Sequence, residues 1–456
     1  MNGKEYVLNA LKRIPVERPV WVPYVGCHGG SLIGVSAEDY LKSGELIYNG
    51  LREAYKLYKP DGLPLIFDLQ IEAEVLGCEL IWFPDSPPTV ISHPLESKPH
   101  LDINLLGEFN INKGRYGELK KATNLVKKDF GSTIALYGLV CGPFTLSLHL
   151  RGSQIFLDMY DNPIQTKKLI DYCKEVVIKS AHFYIENGID IVAIVDPMTS
   201  QISPEHFTYF VAPFLNSVFK FVHMRGKPAS LFVCGDASRN LTEMFKTECD
   251  NVAVDENVDL KRMRELAEQF RKSFSGNLGL ATPLLNGTED ECVTEALEEV
   301  EIGGNTGYIL SPGCDIPYNV PKENLIAIGE ALHDKYLPKT VRSHAECKKT
   351  NTRQPPIASK KTEKKLFIDI ITIDSKVCPP CQYAVEAVKY ATKGLESWVK
   401  IRERKAKTEE GRALAKELGV KSIPTICING EPVFRSMIPD IKTIRNEIEK
   451  RLGARD

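Results

Sequence analysis

Two cysteines separated by two prolines, Cys378-Pro379-Pro380-Cys381, carry the most explicit chemical signal in the sequence. At the start of a helix the first thiol would sit among unpaired amide N–H groups that favour its thiolate. The second, one turn on, could reach it to close a disulfide. Cys378 therefore reads as the attacking thiol and Cys381 as the resolving one. A zinc knuckle would need a second pair at the same spacing, and none follows. Elsewhere, side chains able to hold a metal or a proton recur just past apolar runs: His28, Asp68, Cys141, Asp196, Cys234, Asp255 and Cys314. Taken singly, each could serve a turn or cap a helix. Brought together, they could form a site.

The elements that would bring them together are eight short apolar runs, at 20–24, 63–67, 133–140, 189–195, 229–233, 251–255, 274–280 and 306–311. Most are nearly continuous in apolar residues, as parallel strands covered on both faces must be, and stretches such as 163–187 and 260–272 have helical periodicity. Eight strands with helical crossovers predict a (β/α)8 TIM barrel; a doubly wound open sheet is the competing topology. In the barrel, residues that follow the strands share the rim where such barrels place their chemistry.

The chain has 456 residues, more than one average domain, with 58 basic against 60 acidic residues, so its charge does not suggest a polyanion as its main partner. No apolar run of about 18 residues lacks a charge, and the N-terminus carries no secretion signal. A cytoplasmic protein is expected, with no nucleic-acid or membrane partner. Twelve cysteines scattered over this length point to thiols, metal ligands or redox pairs rather than a disulfide scaffold. Lysines, prolines and few large apolar residues mark 336–365 as a solvated tether between a domain at 1–335 and another at 366–456.

The first domain resembles the uroporphyrinogen decarboxylase superfamily. The resemblance rests on Arg18-Pro19-Val20-Trp21, Phe67-Asp68, Gly142-Pro143-Phe144-Thr145-Leu146, Asp196 with Ser203-Pro204-Glu205, Gly276-Asn277-Leu278 and Gly313-Cys314. It implies a barrel, with Asp68 and Asp196 among the catalytic positions. The arginine pair that grips the many carboxylates of a tetrapyrrole is replaced by Tyr24 and His28, and buried carboxylates without cations are costly. The closer likeness is to the corrinoid-dependent methyltransferase branch, whose zinc is held by His-x-Cys after the fifth strand and a cysteine after the eighth. The matching positions are Phe232-Val233-Cys234 and Cys314. Phenylalanine cannot ligate, so the expected metal set is Cys234, Cys314 and His28, with Cys27, Cys141 and Asp196 as other third ligands.

The second domain resembles the thioredoxin and glutaredoxin fold, through the Cys378–Cys381 pair and Ile423-Pro424-Thr425, which matches the cis-proline loop that makes Pro424 a binding residue. Its expected order is strand, helix, strand, helix, a hairpin around Asn429-Gly430, and a closing helix. The whole reads as a zinc-dependent methyltransferase that takes its methyl group from a corrinoid on a partner protein, gives it to a small thiol, and carries a redox domain. Homo-oligomerisation is left open. A tetrapyrrole decarboxylase, or a non-catalytic corrinoid-binding barrel whose only chemistry is thiol–disulfide exchange, are the alternatives.

Overall fold

The computed structural model describes residues 1–96, 103–285, 287–333, 366–372, 375, 379–406, 408–420, 423–435 and 441–453. The expected tether and Cys378 lie outside these residues. The chain divides into two compact units, Met1–Leu337 and Pro338–Asp456.

In the first unit, seven strands form one parallel sheet: β1 (Gly62–Pro64), β4 (Ala135–Cys141), β5 (Ile191–Val195), β6 (Ala229–Val233), β7 (Asn251–Val254), β8 (Ser273–Leu278) and β9 (Tyr308–Pro312), each pairing with the next. Between β1 and β4 lies a small antiparallel pair that the sequence reading missed, β2 (Leu80–Ile81) and β3 (Thr89–Val90). Every residue of the seven strands is buried, which explains why most of them read as nearly continuous apolar runs. Helices cover the sheet where expected: Pro163–Glu186 starts on a proline, and Leu260–Phe270 is capped by Asp259.

The first of the eight predicted strands is not a full strand. Pro19 and Pro23 bracket it and supply no N–H, so only Trp21 forms a parallel bridge, to Leu310. The segment nevertheless links the two edges of the sheet. On one side Val22 N donates to Leu310 O (3.0 Å) and Leu310 N to Val20 O (2.9 Å); on the other, Asp61 N donates to Trp21 O (2.8 Å). Asp61 locks this seam. Its carboxylate takes a two-pronged contact from Arg18 (2.8 and 2.6 Å) and the Trp21 N–H (2.9 Å). The second predicted strand is shortened for a related reason, since β1 ends on Pro64.

The second unit holds a four-stranded sheet in the order β11-β10-β12-β13, from β10 (Leu366–Thr372), β11 (Val399–Lys405), β12 (Thr425–Ile428) and β13 (Glu431–Arg435). β10 pairs parallel with β11 and antiparallel with β12. Helices Pro379–Ala391, Glu409–Glu417 and Ile441–Gly453 occupy the predicted places. Asn429 and Gly430 both take positive φ (51° and 81°), which suits the two-residue turn between β12 and β13. Pro432 is tolerated because β13 is an edge strand.

Asp61→Ala is expected to lower the unfolding free energy by about 2–4 kcal/mol, since it strips charged hydrogen bonds from Arg18 and leaves the Trp21 N–H unpaired. Urea unfolding of the two proteins checks this.

Candidate functional site

Cys234 follows β6 and Cys314 follows β9, with two strands between them in the sheet, yet the side chains meet and form a disulfide with a Cα separation of 5.8 Å. They rest on the aromatic core of the mouth. Phe232 packs against Tyr24 (ring centroids 4.9 Å apart) and Phe67 (5.9 Å), and Cys234 and Cys314 belong to the same apolar cluster. Phe232 thus points inward and fills the floor beneath the sulfurs. Cys234 is buried and Cys314 half-buried.

The backbone on either side of the pair is held from β7 and β8. Gly235, at φ 87°, donates its N–H to Asp255 Oδ2 (2.9 Å), while Asp255 Oδ1 takes the backbone and side-chain N–H groups of Asn257 (2.8 and 2.6 Å). On the other side, Gly313 N donates to Leu278 O (2.9 Å). A Cβ on Gly313 would lie 2.7 Å from Glu256 N and 3.2 Å from Asp255 Cα, so only glycine lets this strand end approach so closely. Glu256 presses on the same spot. Its Oε2 is buried without a hydrogen-bond partner among the described residues, and burial, then the Asp255 charge, holds its carboxyl well above the usual range. Sequence reading missed Glu256; its one signal is its place directly after Asp255.

The other expected site residues are committed elsewhere. His28 begins a short helix, His28–Leu32, and is buried. Its Nδ1 lies 3.2 Å from Tyr318 O and its Nε2 2.6 Å from Tyr58 Oη. A carbonyl only accepts, so Nδ1 carries the proton; burial lowers the ring to about 4, which keeps it neutral and leaves Nε2 accepting from Tyr58. The one lone pair a metal could use is taken. Cys27 and Cys141 are buried free thiols, pushed well above the ordinary range chiefly by burial. Among the described residues, no three His, Cys, Asp or Glu side chains gather where they could hold a metal.

Asp68 is a clamp: its Oδ2 takes Arg115 Nη1 (2.5 Å) and its Oδ1 the Gln70 N–H (2.8 Å), while Arg115 Nε reaches Glu74 (2.8 Å). Asp196 anchors the start of helix Pro143–Arg151. Its Oδ1 accepts from Thr145 N (2.8 Å) and Thr145 Oγ1 (2.6 Å), and its Oδ2 from Phe144 N (3.2 Å). These contacts give both carboxylates positions inside the scaffold rather than free oxygens facing a substrate. In the second unit, Cys381 is buried and disulfide-bonded, and the Ile423–Pro424 peptide is cis.

Burial raises the Asp196 carboxyl from 3.8 to about 6 despite its three donors. Between those values the folded chain binds the proton more readily than the unfolded one, so Asp196's contribution to stability falls as pH rises from about 4 to about 6. The stability of the wild type relative to Asp196→Asn is expected to decline by ~2 kcal/mol across that window, read from urea unfolding at several pH values.

Comparison with known proteins fits this architecture. The profile of the family described as Uroporphyrinogen decarboxylase (URO-D) matches residues 2–335. A methylcobamide:CoM methyltransferase of Methanosarcina acetivorans is 28% identical over 262 residues, covering 57% of this chain and 75% of its own. A uroporphyrinogen decarboxylase of Ruthia magnifica is 23% identical over 351 residues, covering 72% and 98%. A solved structure of a methyltransferase from Methanosarcina mazei superimposes with a TM-score of 0.65 at 24% identity, over 74% of this chain and 99% of that one. It shares the fold. Among the described residues no helix is long and apolar enough to cross a membrane.

Proposed function

For a chain that belongs to the uroporphyrinogen decarboxylase family, we propose transfer of a methyl group from a methylated corrinoid, carried by a partner protein, to a small thiol. The observation that carries the proposal is the meeting of Cys234 and Cys314 at one mouth of the sheet, in the apolar cluster that holds Phe232, Tyr24 and Phe67. The relatives described as methylcobamide:CoM methyltransferases support it. In the transfer, the acceptor sulfur attacks the methyl carbon in line while the cobalt–carbon bond breaks, leaving its electron pair on the metal. What this chain contributes is placement and dryness. Phe232, Tyr24 and Phe67 keep water from the floor, Asp255 holds the loop after Cys234, and Gly313 lets Cys314 approach. Asp68 and Asp196 act as positioning residues, fixing Arg115 and the start of helix Pro143–Arg151.

Zinc is the part of the reading that the residues as they stand do not fit. Two of its ligands are bonded to each other, His28 is engaged by Tyr58, and no third donor joins them among the described residues. No step is therefore routed through a metal, and the zinc proposal applies to the reduced chain alone. A decarboxylase is disfavoured because Tyr24 and His28, at the acid-gripping positions, are buried and neutral in character. For the second unit we propose thiol–disulfide exchange by Cys378 and Cys381, with Pro424 contacting the bound partner. The strand order and the Cys381 disulfide support this.

The decisive assay follows loss of methylcobalamin absorbance with 2-mercaptoethanesulfonate as acceptor, using reduced protein. Turnover is expected from the wild type and none from Cys234→Ser or Cys314→Ser; equal rates in all three would refute the proposal. Uroporphyrinogen should release no carbon dioxide. Metal analysis decides the zinc reading: about one zinc per reduced chain, lost in the two serine variants, would restore it, and none would remove it. Reduction of an insulin disulfide reporter is expected to depend on Cys378, and activity unchanged in Cys378→Ser would remove the exchange reading.

A further inference from the structure

Cys234 and Cys314 have the chemistry to bind a metal only as a pair of thiolates, yet they are joined as a disulfide. Their surroundings explain why. The floor of Phe232, Tyr24 and Phe67 is apolar, and Cys234 is itself buried in the same cluster. Two adjacent thiolates without a cation are costly in such a place, whereas a disulfide is neutral and needs no partner. The Cα separation of 5.8 Å lies within the range of native disulfides, and both strand ends are fixed independently through Gly235 and Gly313. Closing the bond asks no rearrangement of the backbone.

We infer that Cys234–Cys314 is a reversible two-electron redox couple, opened at Cys314 by a dithiol, whose state decides whether the mouth offers thiolates. That consequence rests on the proposed methyl transfer; the exchange itself does not. Cys314 is the sulfur attacked because it is half-exposed while Cys234 is buried. A thiolate of the dithiol bonds to Cys314 Sγ, the Cys234–Cys314 bond breaks, and the electron pair leaves on the Cys234 sulfur, which takes up a proton. The second thiol of the reagent then attacks the mixed disulfide, releases Cys314, and leaves the reagent oxidised. Two electrons and two protons have passed from the dithiol to the pair. When reduced, the Cys378-x-x-Cys381 sequence of this same chain is a dithiol of that class.

The test uses the oxidised full-length protein under native conditions, first with a monothiol, N-acetylcysteine, and then with dithiothreitol, followed by alkylation and peptide mass mapping. The monothiol is expected on Cys314, at roughly tenfold excess over Cys234, with Cys234 alkylated. Dithiothreitol is expected to free both residues, and air or diamide to restore the bond. In Cys234→Ser, Cys314 should alkylate without any reductant, which tests access separately from exchange. A monothiol found mainly on Cys234, a pair that resists dithiothreitol until the protein unfolds, or an unreactive Cys314 in Cys234→Ser would each overturn the inference. Intact exchange in a protein without methyl transfer would overturn the functional reading alone.

Discussion

The structure of the mouth turns on how two sulfur atoms are neutralised. Cys234 and Cys314 pack in one apolar cluster with Tyr24, Phe67 and Phe232, where an unpaired charge is costly. Joined to each other they carry none, and separated as thiolates they require a cation. The whole first unit is arranged to bring them to that point: a parallel sheet whose edges are linked through Trp21, a glycine at 313 that permits close approach, and an aspartate at 255 that fixes the loop beside Cys234.

The same constraint explains the fate of the other titratable groups. Asp68, Asp196 and His28 all stand at strand ends or their loops, where a barrel places its chemistry, and each has found protein partners instead. A buried carboxylate or imidazole without partners would be expensive, so at these positions the scaffold uses polar side chains to orient helices and loops. Glu256 is different: among the described residues its Oε2 has no hydrogen-bond partner, and it is buried beside the strand end that carries Cys314. Mouth and scaffold thus draw on the same residue types, and only their hydrogen-bond partners tell them apart.

Much of the fold was legible. Strand β6 lies at its predicted bounds, the helices Pro163–Glu186 and Leu260–Phe270 fall within three residues of theirs, and Asn429-Gly430 forms its turn. The failures have local causes. Prolines 19, 23 and 64 shorten strands that their apolar content predicted to be longer, because hydrophobic pattern reports burial while pairing needs N–H donors. The β2–β3 pair was too short to produce a periodic signal.

Sequence alone determined the chemistry available: which thiols, carboxylates and imidazoles the chain owns, the alternation that makes a parallel sheet, and the family to which residues 2–335 belong. Tertiary structure decided which of these groups are free. That Cys234 finds Cys314 across two intervening strands, while His28 is held by Tyr58 and Asp196 by Thr145, depends on distances between segments remote in the chain. Residue type and spacing record what a side chain can do. Hydrogen bonding and desolvation at its final position set what it has left to do it with, and those are properties of neighbours that sequence order does not reveal.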